Sequence, residues 1–406
     1  MSFTLKIVLA VLGALGVLVV VTSFERPPVN VVQVGQRGTA MELVTNPRTV
    51  AAQLARHTVP EPTPPLDPAG QKASEVYENV QVLGDLDANA FNRLMIGITA
   101  WVSPEQGCNY CHNPENLASD EVYTKLVTRR MLQMTKTINA SWQAHVGQTG
   151  VTCYTCHRGR PIPEEVWATD PDPRRTRGIA ASAAGQNIAS PTVGLSSLPN
   201  DPFTPFLLRE EPIRVTGTRP LPYGNTATIM GAEWTYGLMF HFSAATGQNC
   251  TFCHNTQNFG KWESSTPQRV TAWHGIRMVR ELNNSYVEPL RPLWAANPHG
   301  PPERGDATQS RLGPGGDPWK VNCSTCHLGA NRPLLGRPML ADYPELNAVT
   351  LGPLRSATRG VPHTRGTPRG GRGPPRSLSG PGRSAPTAAT DRADARRAPP
   401  PARRQS

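Results

Sequence analysis

All eight cysteines of this 406-residue chain fall in four copies of one pattern, Cys-x-x-Cys-His. The copies run Cys108 to Cys111-His112, Cys153 to Cys156-His157, Cys250 to Cys253-His254 and Cys323 to Cys326-His327. A disulfide framework is the ordinary use of eight cysteines in an exported chain, but it has no need of a histidine after every second cysteine. Zinc favours Cys/His pairs converging tetrahedrally on one ion rather than four separate pentads. The pattern is the attachment signature of c-type haem. Two thiols about one helical turn apart add to the two vinyl groups on one porphyrin edge, and the next residue, His, reaches under the ring to the iron. Four motifs therefore predict four covalent haems. They also account for the composition: 38% hydrophobic, 6% aromatic, with 42 Pro and 36 Gly, a thin core for this length unless four porphyrins supply apolar volume.

The motifs come in pairs. Gln106-Gly107 before CNYCHN matches Gln248-Asn249 before CTFCHN, and VTCYTCHRGRP (151–161) matches VNCSTCHLGANRP (321–333). The expected fold is mainly α with long irregular connections, a multihaem cytochrome c built as an internal two-fold repeat of two-haem units. A helical stretch precedes each motif, over 88–101, 120–143, 232–245 and 268–283. The segments are a membrane anchor or signal peptide (1–24), a Pro-rich extended lead-in (25–70), the first two-haem unit (71–160), a connector (161–227) with room for a short hairpin, the second unit (228–345) and a tail (346–406).

The sixth ligand decides what such irons can do. His and Met on opposite faces raise the potential and leave no open site, which suits electron transfer. Candidate methionines are Met95, 17 residues before His112; Met131 or Met134, 26 or 23 before His157; Met239, 15 before His254; and Met278, 49 before His327. A lone Met on an amphipathic helix is by default core filler, but Met95 and Met239 occupy equivalent helices at nearly equal spacing. Spacing does not choose between Met131 and Met134, nor between Met278 and a histidine for the fourth haem. Six histidines lie outside the motifs, His57, His145, His241, His274, His299 and His363, each by default a surface or satisfied structural residue. His241, two positions from Met239, points roughly to the opposite helix face and is not expected to share its iron.

Residues 7–21 are unbroken apolar and extend to about 18 residues before Glu25, the short edge of the roughly 17–25 that span a bilayer. No small-x-small cleavage site follows, which favours a retained anchor over a signal peptide. The formal charge of +11 invites a nucleic-acid reading, but 12 arginines from Arg355 onward, opposed only by Asp391 and Asp394, carry +10 of it. The remaining 354 residues carry +1. The basic character belongs to an Arg/Pro/Gly tail expected to be disordered, and no nucleic-acid partner is expected.

The segments RRMLQMTKTINASWQAHVGQTGVTCYTCHRGRP (129–161) and MFHFSAATGQNCTFCHN (239–255), with the two-by-two arrangement, resemble the tetrahaem cytochrome c subunit of purple-bacterial photosynthetic reaction centres over roughly 75–345. The resemblance implies His/Met ligation for three haems: His112 with Met95, His157 with Met131 and His254 with Met239. It implies a bis-histidine fourth haem, His327 with His145, and leaves Met134 and Met278 as packing residues. It further implies an electron-transfer protein rather than an enzyme, on the periplasmic face of the photosynthetic inner membrane. Electrons would pass from a soluble c-type cytochrome or high-potential iron–sulfur protein, through the four haems, to the photo-oxidised bacteriochlorophyll special pair of the core subunits, with the third haem nearest that pair. Many members carry a lipidated cysteine after the signal peptide; here none precedes Cys108, which favours the helix as anchor.

Residues 71–128 hold eight acids (Glu75, Glu78, Asp85, Asp87, Glu105, Glu115, Asp120, Glu121) and three bases (Lys72, Arg93, Lys125), a surface suited to steering a basic donor. The rivals are a membrane-anchored tetrahaem quinol dehydrogenase, whose irons typically take His throughout, and a multihaem enzyme with one open iron.

Overall fold

The computed structural model describes residues 2–23, 28–169, 192–215, 228–301 and 310–347, with Gln186, Ile188 and Ser190. All belong to one unit, Met1–Pro353. The tail beyond Asn347, His363 included, lies outside the described residues.

Helix α1 (Phe3–Ser23) is 21 residues long with no buried residue. At 1.5 Å per residue it extends about 31 Å, and it is long and apolar enough to cross a membrane. The segment expected as an extended lead-in is more ordered than its prolines suggest. Strands β1 (Asn30–Val34) and β2 (Met41–Thr45) pair antiparallel, and α2 (Pro47–Ala55) follows, capped by the Asn46 side chain with Pro47 in the first turn. Pro is tolerated there because the first amides of a helix have no internal partner. The prolines at 60–68 flank these elements rather than interrupt them.

Four longer helices match the expected stretches within a few residues: α3 (Ala88–Val102), α4 (Tyr123–Ser141), α6 (Ile229–Thr246) and α7 (Pro267–Glu281). Between α4 and α6, the motif helix α5 (Cys153–His157) forms one turn, and α8 (Cys323–His327) forms another after α7. Asp87 caps α3 by accepting from the amides of Asn89 and Ala90, which are orphan donors at any helix start. Gly247 closes α6 at φ +65°. A side chain there would be strained by the left-handed backbone and would also place its Cβ 2.3 Å from the Gly329 carbonyl oxygen.

Strand content is small. Besides β1–β2, only the two-residue strands β3 (Val166–Trp167) and β4 (Lys320–Val321) pair among the described residues. Within 161–222, where a short hairpin is expected, much of the segment lies outside the described residues; the strand at 166–167 pairs with a partner far along the chain. The chain is mainly helical.

Two apolar clusters hold these elements. One gathers Leu94, Ile98 and Trp101 of α3 and Leu132 of α4 with Leu334, Met339, Leu340, Tyr343 and Leu346. The other gathers Ile138 and Val151 with Phe203, Phe206, Leu207, Leu238, Ile276, Met278 and Val279. Each draws on early and late parts of the sequence. Asn139 and Asn283, both buried, act alike, each side-chain amide bonding the N–H and C=O of one residue just before a motif helix. Asn139 grips Val151 at 2.8 and 2.9 Å, and Asn283 grips Val321 at 2.8 and 2.9 Å. Such bonds satisfy backbone groups that the interior would otherwise strand.

Candidate haem-binding sites

The second and fourth motifs each form a single helical turn that stops abruptly. Thr152 with Thr155, and Asn322 with Thr325, make a capping box at the start. Arg158 (φ 51°) and Leu328 (φ 46°) end the turn in the left-handed region, followed by Gly159 and Gly329 at φ 83° and 85°. One helical turn separates positions i and i+3, so the two sulfurs share a face and the histidine at i+4 stands beside them. The loops then return: Gly159 N–H bonds the Trp101 carbonyl at 2.8 Å and Gly329 N–H bonds the Ala245 carbonyl at 2.8 Å. Each motif turn is thereby pinned to the end of the long helix carrying Met95 or Met239. The first and third motifs adopt 3-10 turns instead, Gly107–Tyr110 and Cys250–Phe252.

Every motif histidine makes the same bond. Nδ1 meets a backbone carbonyl: Leu117 at 3.0 Å for His112, Arg160 at 2.9 Å for His157, Phe259 at 2.8 Å for His254 and Ala330 at 3.0 Å for His327. A carbonyl can only accept, so Nδ1 carries the proton and Nε2 keeps its lone pair free for a metal. Burial holds His157 and His254 below the usual imidazole range. Burial, with the nearby His145 acting in the same direction, brings His327 down to about 4.

None of the eight thiols is in a disulfide. Burial pushes Cys153 and Cys323 up to about 12 and Cys253 up to about 11, whereas Cys326 is lowered by its neighbour Cys156. Among the described residues, no three His, Cys, Asp or Glu side chains converge as around an ion. The Cys156 and Cys326 side chains are neighbours, which places the second and fourth motifs against each other. The Arg158 guanidinium spans the junction, donating to the carbonyls of Arg56 at 2.6 Å and Cys326 at 3.0 Å.

His145 stands beside the fourth-motif histidine. Its ring centroid is 6.0 Å from that of His327. Two imidazoles bound to one metal through nitrogens about 2 Å away have centroids about 6 Å apart. Nδ1 of His145 is held by the Thr271 carbonyl of α7 at 2.9 Å, again leaving Nε2 free. Gly275, one turn further on, makes room for the ring: an added Cβ would lie 2.5 Å from His145 Cε1.

The methionines divide by surroundings. Met278 is buried within an apolar cluster and Met134 packs against the same one, whereas Met131 is half-buried and belongs to neither cluster. Met95 and Met239 lie at cluster margins. Met239 also lines a cavity of about 680 Å³ together with Tyr236, Phe240 and Cys250, within the range of cofactor pockets. Val50, Gln53 and Leu54 of α2 form its opposite wall, so the early segment helps enclose the third site.

A helical scaffold with four such motifs, each motif histidine in one tautomer, narrows the chain to cytochromes c. Residues 25–347 match the family described as the photosynthetic reaction centre cytochrome C subunit. The chain belongs to this family. It is 51% identical to the photosynthetic reaction center cytochrome c subunit of Rubrivivax gelatinosus over 334 residues, covering 82% of this chain and 87% of the relative. Identity is 48% with the subunit of Thermochromatium tepidum over 80% of this chain and 78% of that one. With the subunit of Roseobacter denitrificans it is 37% over 80% and 90%. Membership carries covalent haem and the electron-transfer role with it, and leaves the quinol dehydrogenase reading unsupported.

The other histidines are varied. His57 is buried, with Nε2 at 3.3 Å from the Leu328 carbonyl and Nδ1 at 3.3 Å from the Arg158 guanidinium, a satisfied structural residue. His241 is buried edge-on to Phe203, its ring centroid 4.6 Å away. His274 pairs with Trp273, and His299 is exposed. Residue types give no signal for Gly275 or for the four carbonyls that fix the tautomers.

Proposed function

We propose that this reaction-centre subunit relays electrons through four covalent c-type haems, held by Cys108/Cys111, Cys153/Cys156, Cys250/Cys253 and Cys323/Cys326. The axial pairs are His112/Met95, His157/Met131, His254/Met239 and His327/His145. The observation that carries the reading is the His145–His327 pair, 6.0 Å between centroids, with each Nδ1 committed to a carbonyl. Bound haem supplies one-electron exchange at an iron whose two axial positions are filled. The chain supplies the rest: thioether sulfurs that fix the ring edge, carbonyls that hold each imidazole in one tautomer, and apolar walls that exclude water.

The internal two-fold repeat rests on corresponding bonds: Asn139 with Asn283, Gly159 with Gly329, and the paired Nδ1 contacts. His145 sits in the first two-haem unit (71–160) and serves the haem of the second (228–345), which ties the halves together. The subunit associates with the reaction-centre core and its electron donors, and the family places it at a membrane. We assign α1 as its anchor, with the haem-bearing part on the periplasmic side.

The donor side is read from charge. Glu75, Glu78, Asp85, Glu105, Glu115, Asp120 and Glu121 are exposed in the first-motif segment, while of the opposing bases Arg93 and Lys125 are buried and Lys72 is exposed. Cys108 is itself exposed. This acidic face suits a basic soluble cytochrome. The deciding experiment is flash spectroscopy of membranes, where c-type haem oxidation follows special-pair oxidation within microseconds. A pyridine haemochrome count other than four per chain refutes the site assignment.

A further inference from the structure

Lys125 is a buried cation, 8% exposed, on the first turn of α4. Its Nζ donates to three successive carbonyls: Leu117 at 2.9 Å, Ala118 at 2.7 Å and Ser119 at 2.9 Å. The Leu117 carbonyl is also the one that receives Nδ1–H of His112, at 3.0 Å. The nearest carboxylate, Asp120, is 3.4 Å from Nζ and makes its shorter bonds, 2.9 and 2.8 Å, to Arg129 and Asn79. The ammonium is thus aimed at the carbonyl oxygens more closely than at a counter-ion.

The third motif offers a contrast. The cation on the matching first turn of α7, Arg269, donates to Lys261 O at 2.9 Å and Gly260 O at 3.4 Å. Phe259 O, the acceptor for His254 at 2.8 Å, lies one residue earlier. Among the described hydrogen bonds, only the carbonyl serving His112 also accepts from a cation.

Building on the reading that His112 ligates a covalent haem, we propose that Lys125 is a positioning residue that raises the reduction potential of the first haem through the Leu117 carbonyl. A carbonyl already polarised by an ammonium is a weaker acceptor for the imidazole N–H. The imidazole then donates less electron density to the iron, so the ferric state is stabilised less. The fixed positive charge acts in the same direction.

The test is potentiometric titration of the purified full-length holoprotein with Lys125→Gln, Lys125→Met and Lys125→Arg. Gln retains an N–H donor for the 117–119 turn while removing the charge. With four haems still bound, the oxidised-to-reduced ratio of one haem rises at least tenfold at fixed ambient potential, 59 mV for a one-electron couple, while the other three stay put. Lys125→Arg restores the wild-type value. An unmoved potential in the Gln variant, equal shifts in all four haems, or loss of the first haem from the Gln variant overturns the proposal. A wild-type chain carrying fewer than four haems refutes the underlying ligand assignment instead.

Discussion

Gly275→Ala isolates the contribution of His145 without touching either histidine. The alanine Cβ would lie 2.5 Å from Cε1 and 2.8 Å from Nδ1 of His145, whereas carbon atoms rest about 3.5–4.0 Å apart. The ring must retreat by about 1 Å, away from the Thr271 carbonyl that holds its Nδ1 at 2.9 Å. Gly275 lies inside α7, where alanine is better by about 1 kcal/mol, against an overpacking cost of about 1–3 kcal/mol. The net change is about 0–2 kcal/mol, and the chain folds. On the proposed ligation, a metal–imidazole bond only about 2 Å long is broken by a ring displacement of that size, and the fourth haem is expected to lose one axial ligand. Carbon monoxide added to the reduced protein is the assay: it binds none of the wild-type irons and one of the four in the variant. A variant that binds no carbon monoxide and keeps all four potentials would refute the role given to His145.

Three further outcomes are expected. Glu115→Lys with Glu121→Lys should slow re-reduction by a basic donor about tenfold at low ionic strength; stopped-flow rates that ignore both the substitutions and salt would reject steering. Lys320, fully buried against Asp317 and Glu288, should cost about 3–5 kcal/mol when changed to Met, because Asp317 loses its cation while Glu288 keeps only Arg291. Burial pushes Asp317 up, but Lys320 and the Thr169 amide outweigh it and hold the carboxyl below its usual 3.8. That contribution is therefore complete above pH 3.8 and fades only as pH falls through the lower folded value, visible as an acid limb in thermal melts that Lys320→Met removes. Asn283→Ala strands Val321 N–H and the Leu207 carbonyl and leaves the Val321 carbonyl with Trp167 Nε1–H as its remaining donor, and should lower unfolding stability by about 3 kcal/mol, with Asn139→Ala giving a similar loss by guanidinium titration.

What the sequence discloses, it discloses through chemistry that needs particular residue types at fixed spacing. Thioether attachment requires two cysteines and a histidine on one turn, so the motifs are readable before any fold is known. The long helices are legible as stretches ahead of each motif, and Met95 and Met239 stand at matching places on two of them. The segment 25–70 reads as extended only when its prolines are averaged over the whole stretch. They cluster at 27–28 and 60–68, while the valine-rich Val31-Val32-Gln33-Val34, Gly35, Gly38 and the Asn46-Pro47 helix start lie between, and those local signals specify a hairpin and a capped helix. Lys125 and Arg93 count by residue type as surface charge, although both are buried.

The part that stays hidden has a common cause. Each tautomer-fixing partner is a main-chain oxygen, of Leu117, Arg160, Phe259 or Ala330, and a carbonyl is the same atom in every residue. The four side chains there share no property, so no pattern of letters marks them. Gly275 is hidden for a related reason: its role is to have no side chain against His145, 130 residues earlier in sequence. A haem ligand of fixed type can thus be found by counting, whereas what orients that ligand can be found only by folding. Substitutions at 117 or 330 that keep the loop backbone should therefore leave the irons unchanged, while a single methyl group at 275 should not.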